Sequence, residues 1–285
     1  MWGFTGILGK LIHLDAVVIV WYRVLIAFIS LFFYFIFAKK SFRIKSKKNL
    51  LSISIVGLFV GAHWLTFYQS IQLSTASLGI LCLSTTTLHV SWLEPLIMNK
   101  KFNWIEMALS IIVVFGIFII TDDFGEKEYQ ALTFGLVSAL LAALYAVYNT
   151  KLVAVESAAS ISLYEMLSAT IAITIFLAFT GQLNMDILVM ETSDLFWLIF
   201  LGVACTSFAF LATIIVMDKL GAFTVSLSIN LEPIYTLVLA IFILNENDLL
   251  SPRFYIGATL IILTVLANGI IQKILLRKEK SLQKV

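Results

Sequence analysis

Apolar residues along this chain neither alternate nor form one-sided stripes. They come in blocks of nearly twenty, interrupted by short polar stretches near 14, 39–49, 73, 99–102, 122–130, 152–157, 181–194, 218–220 and 245–252. A helix rises about 1.5 Å per residue, so roughly 20 residues cross a hydrocarbon core of about 30 Å. The blocks therefore predict transmembrane helices near 1–13, 16–38, 50–72, 75–98, 103–121, 131–151, 158–180, 195–217, 221–244 and 253–276. A membrane barrel would instead show alternating segments of about ten residues. The connections are mostly too short to hold a soluble domain.

The first block, "MWGFTGILGKLIH", is shorter than a crossing and carries Lys10. Its apolar run begins at once, without the basic leader of a cleaved signal peptide. The expectation is a shortened first helix whose native form is longer.

Composition agrees with the pattern. With 61% hydrophobic residues, 13% charged residues and a mean hydropathy of +1.02, the chain lies outside the range of soluble domains. Charge adds orientation. Apart from Lys10, Arg23, Lys127 and Arg253, the basic residues cluster in "KKSFRIKSKKN", "NKK", Lys151, Lys219 and the segment from Lys273 onward, while "TDDFGEKEYQ", "GQLNMDILVMETSD" and "NENDLLSP" are acidic. Lys and Arg bias sets topology, so both termini are expected in the cytoplasm, with the chain multi-pass in the plasma or inner membrane. The basic loop is a topology signal, and no nucleic-acid partner is expected. Cys82 and Cys205 fall inside spans, where cysteine packs as a small hydrophobe, and no CxxC spacing occurs. Neither metal nor cofactor is expected.

Internal repetition is faint but ordered. "WYRVLIA" and "LYEMLSA" align Tyr22 with Tyr164, Arg23 with Glu165 and Ala27 with Ala169, 142 positions apart; "LSTASLG" and "KLGAFTV" align at 146. In the second frame Pro233 corresponds to Thr87. Five spans per half is an odd number, so the second copy enters the membrane from the other side. The expected fold is an all-α membrane protein with ten transmembrane helices as two inverted five-helix repeats, 1–121 and 131–276, followed by a basic tail at 277–285.

With "WG" near the start, "WYRVLIAF" in the second span and "LEPIYTLVLAIFILNENDLLSPRFYIGATLII" across the last two, the chain resembles the drug/metabolite transporter superfamily, and within it the EamA-like ten-helix members. It departs from their pattern at Thr87, where proline is common, and at "NKKF", where a Gly-Glu turn is common. The resemblance implies secondary transport of small metabolites or toxic compounds, commonly export, and leaves the cargo open.

Charges inside the spans are the candidate chemistry. An ionisable group at a helix centre costs about 2.5–3.5 kcal/mol on the insertion scale, so it persists mainly against a protein interior or a wet cavity. Glu232 lies near the middle of the ninth span, beside Pro233, which removes a backbone hydrogen bond. Arg23 and Glu165 lie one turn to either side of the middle of their spans, as inverted copies should. Glu94 and His63 follow, then His89. Trp64 and Tyr68 share a face with each other, as do Tyr145, Tyr148 and Asn149. Asn230 and Tyr235 flank Glu232. Four successive hydroxyls, Ser84 to Thr87, cover every direction around the fourth span.

The expected substrate-binding or coupling set is Arg23, His63, Trp64, Tyr68, Glu94, Glu165, Asn230, Glu232 and Tyr235. Glu232 would be the central acceptor and exchange a proton. Arg23 would hold a carboxylate of the cargo or pair with a glutamate. His63, Trp64 and Tyr68 would shape the pocket. The partners expected are a small-molecule solute, the bilayer and protons, with a monomer as the default. No nucleophile elbow, HExxH or His-Asp pairing appears, so an enzyme is not expected. The alternative is a structural or accessory membrane protein, in which these charges serve packing alone.

Overall fold

The computed structural model describes residues 3–99, 101–121, 124–210, 212 and 232–282, and the regular structure among them is helical. In chain order the helices are α1 (Gly3–Leu11), α2 (Ala16–Phe37), α3 (Lys47–Leu73), α4 (Ala76–Met98) and α5 (Trp104–Ile120). Then come α6 (Glu126–Leu152), α7 (Ala158–Phe179), α8 (Thr192–Gly202, continued by a π-helical turn Val203–Phe208), α9 (Glu232–Leu244) and α10 (Pro252–Leu282). Six of these are long and apolar enough to cross a membrane by themselves. α2, at 22 residues, is about 33 Å long.

Side chains at the helix ends explain where the apolar blocks become helix. Ser46, Thr75 and Ser157 cap α3, α4 and α7 by accepting the amides of Asn49, Leu78 and Ser160. α4 and α9 each stop at an asparagine in the left-handed conformation, Asn99 (φ 51°) and Asn245 (φ 53°). Asparagine enters this region more easily than most residues, and a left-handed residue is a common helix terminator. The two positions are 146 apart, the offset of the weaker repeat alignment.

The hydroxyl run interrupts α4. Ser84, Thr85, Thr86 and Thr87 each donate to the carbonyl three residues back, at 2.6, 2.6, 2.7 and 3.3 Å. Thr85 N also bonds three residues back, to Cys82 O, leaving a turn between segments Ala76–Ser84 and Thr86–Met98. Hydroxyls that take carbonyls from the helical ladder loosen it at that point.

The inverted relation is visible in α2 and α7, equal in length and displaced by 142 positions at both ends. Tyr22, in the second turn of α2, donates to Ile187 O beyond the end of α7; Tyr164, in the second turn of α7, donates to Phe42 O beyond the end of α2. Trp21 Nε1 reaches Thr174 Oγ1, near the far end of α7. The two helices therefore run antiparallel. Equivalent helices pointing opposite ways, with five helices per copy, make the halves inverted repeats.

Small residues let the helices approach. A Cβ on Gly57 of α3 would lie 2.6 Å from Glu165 O of α7, and one on Gly61 would lie 3.2 Å from Ala169 Cβ. A Cβ on Gly257 of α10 would lie 2.5 Å from Gly116 O of α5. Close backbone approach through such residues replaces the hydrophobic drive that lipid does not supply.

Boundaries differ from the expected ones in a consistent way. α3 and α6 begin earlier than 50 and 131, because polar and charged residues continue a helix past the hydrocarbon core. α10 continues to Leu282, so much of the tail expected at 277–285 prolongs the last helix. Lys, Glu and Leu are good helix formers, and no glycine or proline stops them there.

Candidate functional site

Arg23 sits between the halves and is 2% exposed. Its position on α2 aims it at α3 and α8. Nε donates to Thr206 Oγ1 at 3.0 Å, and Nη1 donates to Tyr68 Oη at 3.3 Å. The guanidinium lies 4.0 Å from the centre of the Trp64 ring and 5.8 Å from that of Tyr68. Trp64 and Tyr68, four residues apart on α3, thus form a wall and a floor for the cation, a contact worth about 2 kcal/mol or more when desolvated. Tyr68 in turn donates to Thr5 O on α1 at 3.2 Å.

The π turn of α8 makes the Thr206 contact possible. Its hydroxyls bond five residues back, Thr206 Oγ1 to Leu201 O at 2.8 Å and Ser207 Oγ to Gly202 O at 3.0 Å. Ser207 also donates to Ala27 O on α2 at 3.1 Å. The wider turn holds α8 against α2, where a Cβ on Gly202 would lie 2.7 Å from Ile26. Such bulges occur often at functional sites. "VACTSF" carries no strong sequence signal for one, so Thr206 and Ser207 escaped sequence reasoning.

Glu232, the first residue of α9, is half-buried and stands within electrostatic range of Arg23. Pro233 beside it is buried. Tyr145 on α6 stands within range of Arg23, Glu232 and Glu165. Glu165 itself is 0% exposed, and neither carboxylate oxygen has a hydrogen-bond partner among the described residues.

The other expected residues are placed differently. His63 is buried and tied to α6: Nδ1 lies 2.8 Å from Ser138 Oγ and 3.0 Å from Ser138 O, and Ser138 Oγ donates to His63 O. Its ring stacks on Phe67 and leans on Tyr145. Glu94 is half-buried toward the end of α4. Tyr235 is 58% exposed, on the outward side of α9. His89 is half-buried, and neither ring nitrogen is hydrogen-bonded among the described residues. Asn230 lies outside the described residues. Arg23, Trp64, Tyr68, Tyr145 and Glu232 thus come together, with Glu165 adjoining through Tyr145.

Three more buried acids hold the ends of the bundle. Glu246 accepts the amides of Ala76 and Ser77 at 2.7 and 2.9 Å, capping α4 from the other half of the chain. Asp194 accepts the His13 amide at 3.1 Å. Glu156 accepts Lys45 N at 2.9 Å and Asn49 Nδ2 at 2.7 Å. The last two link equivalent places at opposite ends of the bundle, a loop before α2 or α7 to the start of α8 or α3.

The model of the EamA-like transporter family matches residues 1–122 and again 130–270. The chain belongs to that family. It is therefore a membrane transporter of the drug/metabolite type, acting on a small-molecule solute, and members of the EamA-like family are transporters rather than enzymes. One solved crystal structure shares the fold with a TM-score of 0.63 over 93% of this chain and 92% of that one, at 11% sequence identity. No curated protein matches the sequence.

Proposed function

We propose that this EamA-like chain is a secondary transporter that exports a small organic solute by alternating access, binding it between the halves around Arg23. The observation that carries this is the company Arg23 keeps. It is a buried cation whose contacts are two hydroxyls and two aromatic faces, and no carboxylate lies within ion-pair distance of it among the described residues. A structural arginine at such depth would be expected to have a direct counter-ion, because an unpaired buried charge costs several kcal/mol. Here the fork is held in place by neutral groups and its charge remains available to an anionic group of the solute.

Glu232 stands within electrostatic range of Arg23 without pairing with it and would supply the opposite charge for the same solute. A mixed pair of this kind suits a zwitterion such as an amino acid, or an amphipathic compound bearing a carboxylate. Trp64 and Tyr68 would give it a flat apolar wall. The bias of basic residues supports cytoplasmic termini in the plasma or inner membrane, and Glu232 is a group through which a proton can be exchanged during the cycle.

The test begins with metabolite profiles of cells with and without the protein. Compounds that change are then screened by thermal shift on the purified chain, since a ligand at about 100 times its Kd adds roughly 2.7 kcal/mol to the folded state. The expected ligand stabilises the wild type and loses most of that effect in Arg23→Lys, which keeps the charge and loses the fork. A ligand that stabilises Arg23→Lys and Arg23→Gln as well as the wild type refutes binding at this place.

A further inference from the structure

Glu165 differs from the other buried acids of the described structure. Glu156, Asp194 and Glu246 each accept backbone amides, whereas both oxygens of Glu165 are buried without a hydrogen-bond donor among the described residues. The side chain of Asn149 on α6 adjoins it, and Asn149 Oδ1 is likewise buried and unpartnered. The Asn149 amide can serve either form of the acid: its NH2 can donate to an ionised carboxylate and its carbonyl can accept from a protonated one. A proton relieves the buried, unpartnered carboxylate of its charge and gives it an O–H donor for Asn149 Oδ1. A metal ion has too few ligands here: no group of three His, Cys, Asp or Glu side chains that could hold one occurs among the described residues.

We propose that Glu165 and Asn149 form a proton-binding site, in which Glu165 binds one proton and the resulting carboxyl donates to Asn149 Oδ1. The step is Glu165–COO⁻ plus H⁺ giving Glu165–COOH; the O–H bond forms at one carboxylate oxygen, and the proton comes from and returns to water. When it leaves, rotation of the Asn149 amide presents its NH2 to the carboxylate. Access is short. Glu165 lies two turns, about 10 Å, from the start of α7, on the side of the basic loop. The contacts covering that end are Tyr164 to Phe42 O and Glu156 to Lys45 and Asn49.

The titratable and charged groups around the site come from several helices. Tyr145 on α6, four residues from Asn149, stands within range of Glu165, of Glu232 on α9 and of Arg23 on α2. His63 on α3 leans on the Tyr145 ring at 5.6 Å between centroids. Tyr164 precedes Glu165 on α7. Tyr145 thus stands between the proton site and the Arg23 centre, and on the transport reading above, on which this part rests, the Glu165 proton takes part in coupling beside the one exchanged at Glu232.

Infrared difference spectra of the purified full chain across a pH titration test the site directly, with sodium chloride or choline chloride as the salt. Subtracting the spectra of Glu165→Gln from those of the wild type should leave one carboxyl C=O band that shifts in heavy water, because the bands of the other acids cancel; the same band should remain in a Glu232→Gln background and move to higher frequency in Asn149→Leu, where its acceptor is gone. No band left by that subtraction, a band that ignores Asn149→Leu, or a midpoint that moves with sodium overturns the proposal. Should Glu165→Gln fail to fold, the Asn149→Leu shift and the wild-type band decide it. These readouts do not depend on flux: a chain that moves no solute but keeps the band refutes the transport reading alone, and export unaffected by a protonophore refutes only the coupling role.

Discussion

Gly57→Ala is the substitution whose effect the packing defines best. The added methyl would sit 2.6 Å from Glu165 O and 2.9 Å from Glu165 Cα, both backbone atoms that cannot swing aside. Ordinary contact begins near 3.4 Å, so α3 and α7 must part by somewhat under an ångström, or tilt, along the seam that also contains Gly61 and Ala169. Overpacking of this kind costs about 1–3 kcal/mol. At roughly 2–4 °C per kcal/mol for chains of a few hundred residues, the apparent Tm in detergent should fall by several degrees. Gly61→Ala is the internal comparison: its nearest neighbour is a side-chain methyl at 3.2 Å, which needs to give only a few tenths of an ångström. Gly257→Ala, 2.5 Å from Gly116 O, should behave like Gly57→Ala. Thermal unfolding of the three variants, followed by intrinsic tryptophan fluorescence, checks the order. A Gly57→Ala protein as stable as the wild type, or less affected than Gly61→Ala, refutes the reading that backbone contact at Glu165 sets the helix separation.

Two further outcomes are expected. Glu246→Ala should lower stability by about 1–3 kcal/mol, because it strands the Ala76 and Ser77 amides in a buried place; Glu246→Gln should recover part of the loss, and denaturant melts would show either result. Tyr22→Phe and Tyr164→Phe remove equivalent bonds at opposite ends of the bundle. On the alternating-access reading proposed above, they should therefore bias the chain in opposite directions between its inward- and outward-open states. Labelling of cysteines introduced at each face measures this, since Cys82 and Cys205 are buried, and equal labelling in the two variants would contradict it.

How much of the molecule was legible in the sequence depended on the range of the interactions involved. Apolar blocks translated into helices because lipid offers the backbone no hydrogen bonds, so each span must satisfy itself within consecutive residues. Two weak offsets, 142 and 146, located equivalent helices, and Asn99 and Asn245 punctuate α4 and α9 in the second of these frames. The hydroxyl run stood out in sequence, but that it divides α4 into two segments appears only in the structure. The residues around Arg23 were less legible. Thr206 is 183 positions away and reaches Arg23 only through a π turn. Tyr235 stands three residues from Glu232, yet α9 turns it outward while neighbouring Thr236 is fully buried and donates to Gly3 O on α1.

The sequence alone determined the medium, the helical architecture and the family, because those follow from length, hydropathy and order along the chain. Tertiary structure alone decided which buried charges are satisfied. In sequence Glu246, Asp194 and Glu156 fall in polar connections and Glu165 inside a span; folding buries all four, and backbone amides from distant segments occupy the first three alone. Whether an acid in a membrane protein caps a helix or waits for a ligand is set by the donors that folding brings within about 3 Å of it, and no local pattern encodes them.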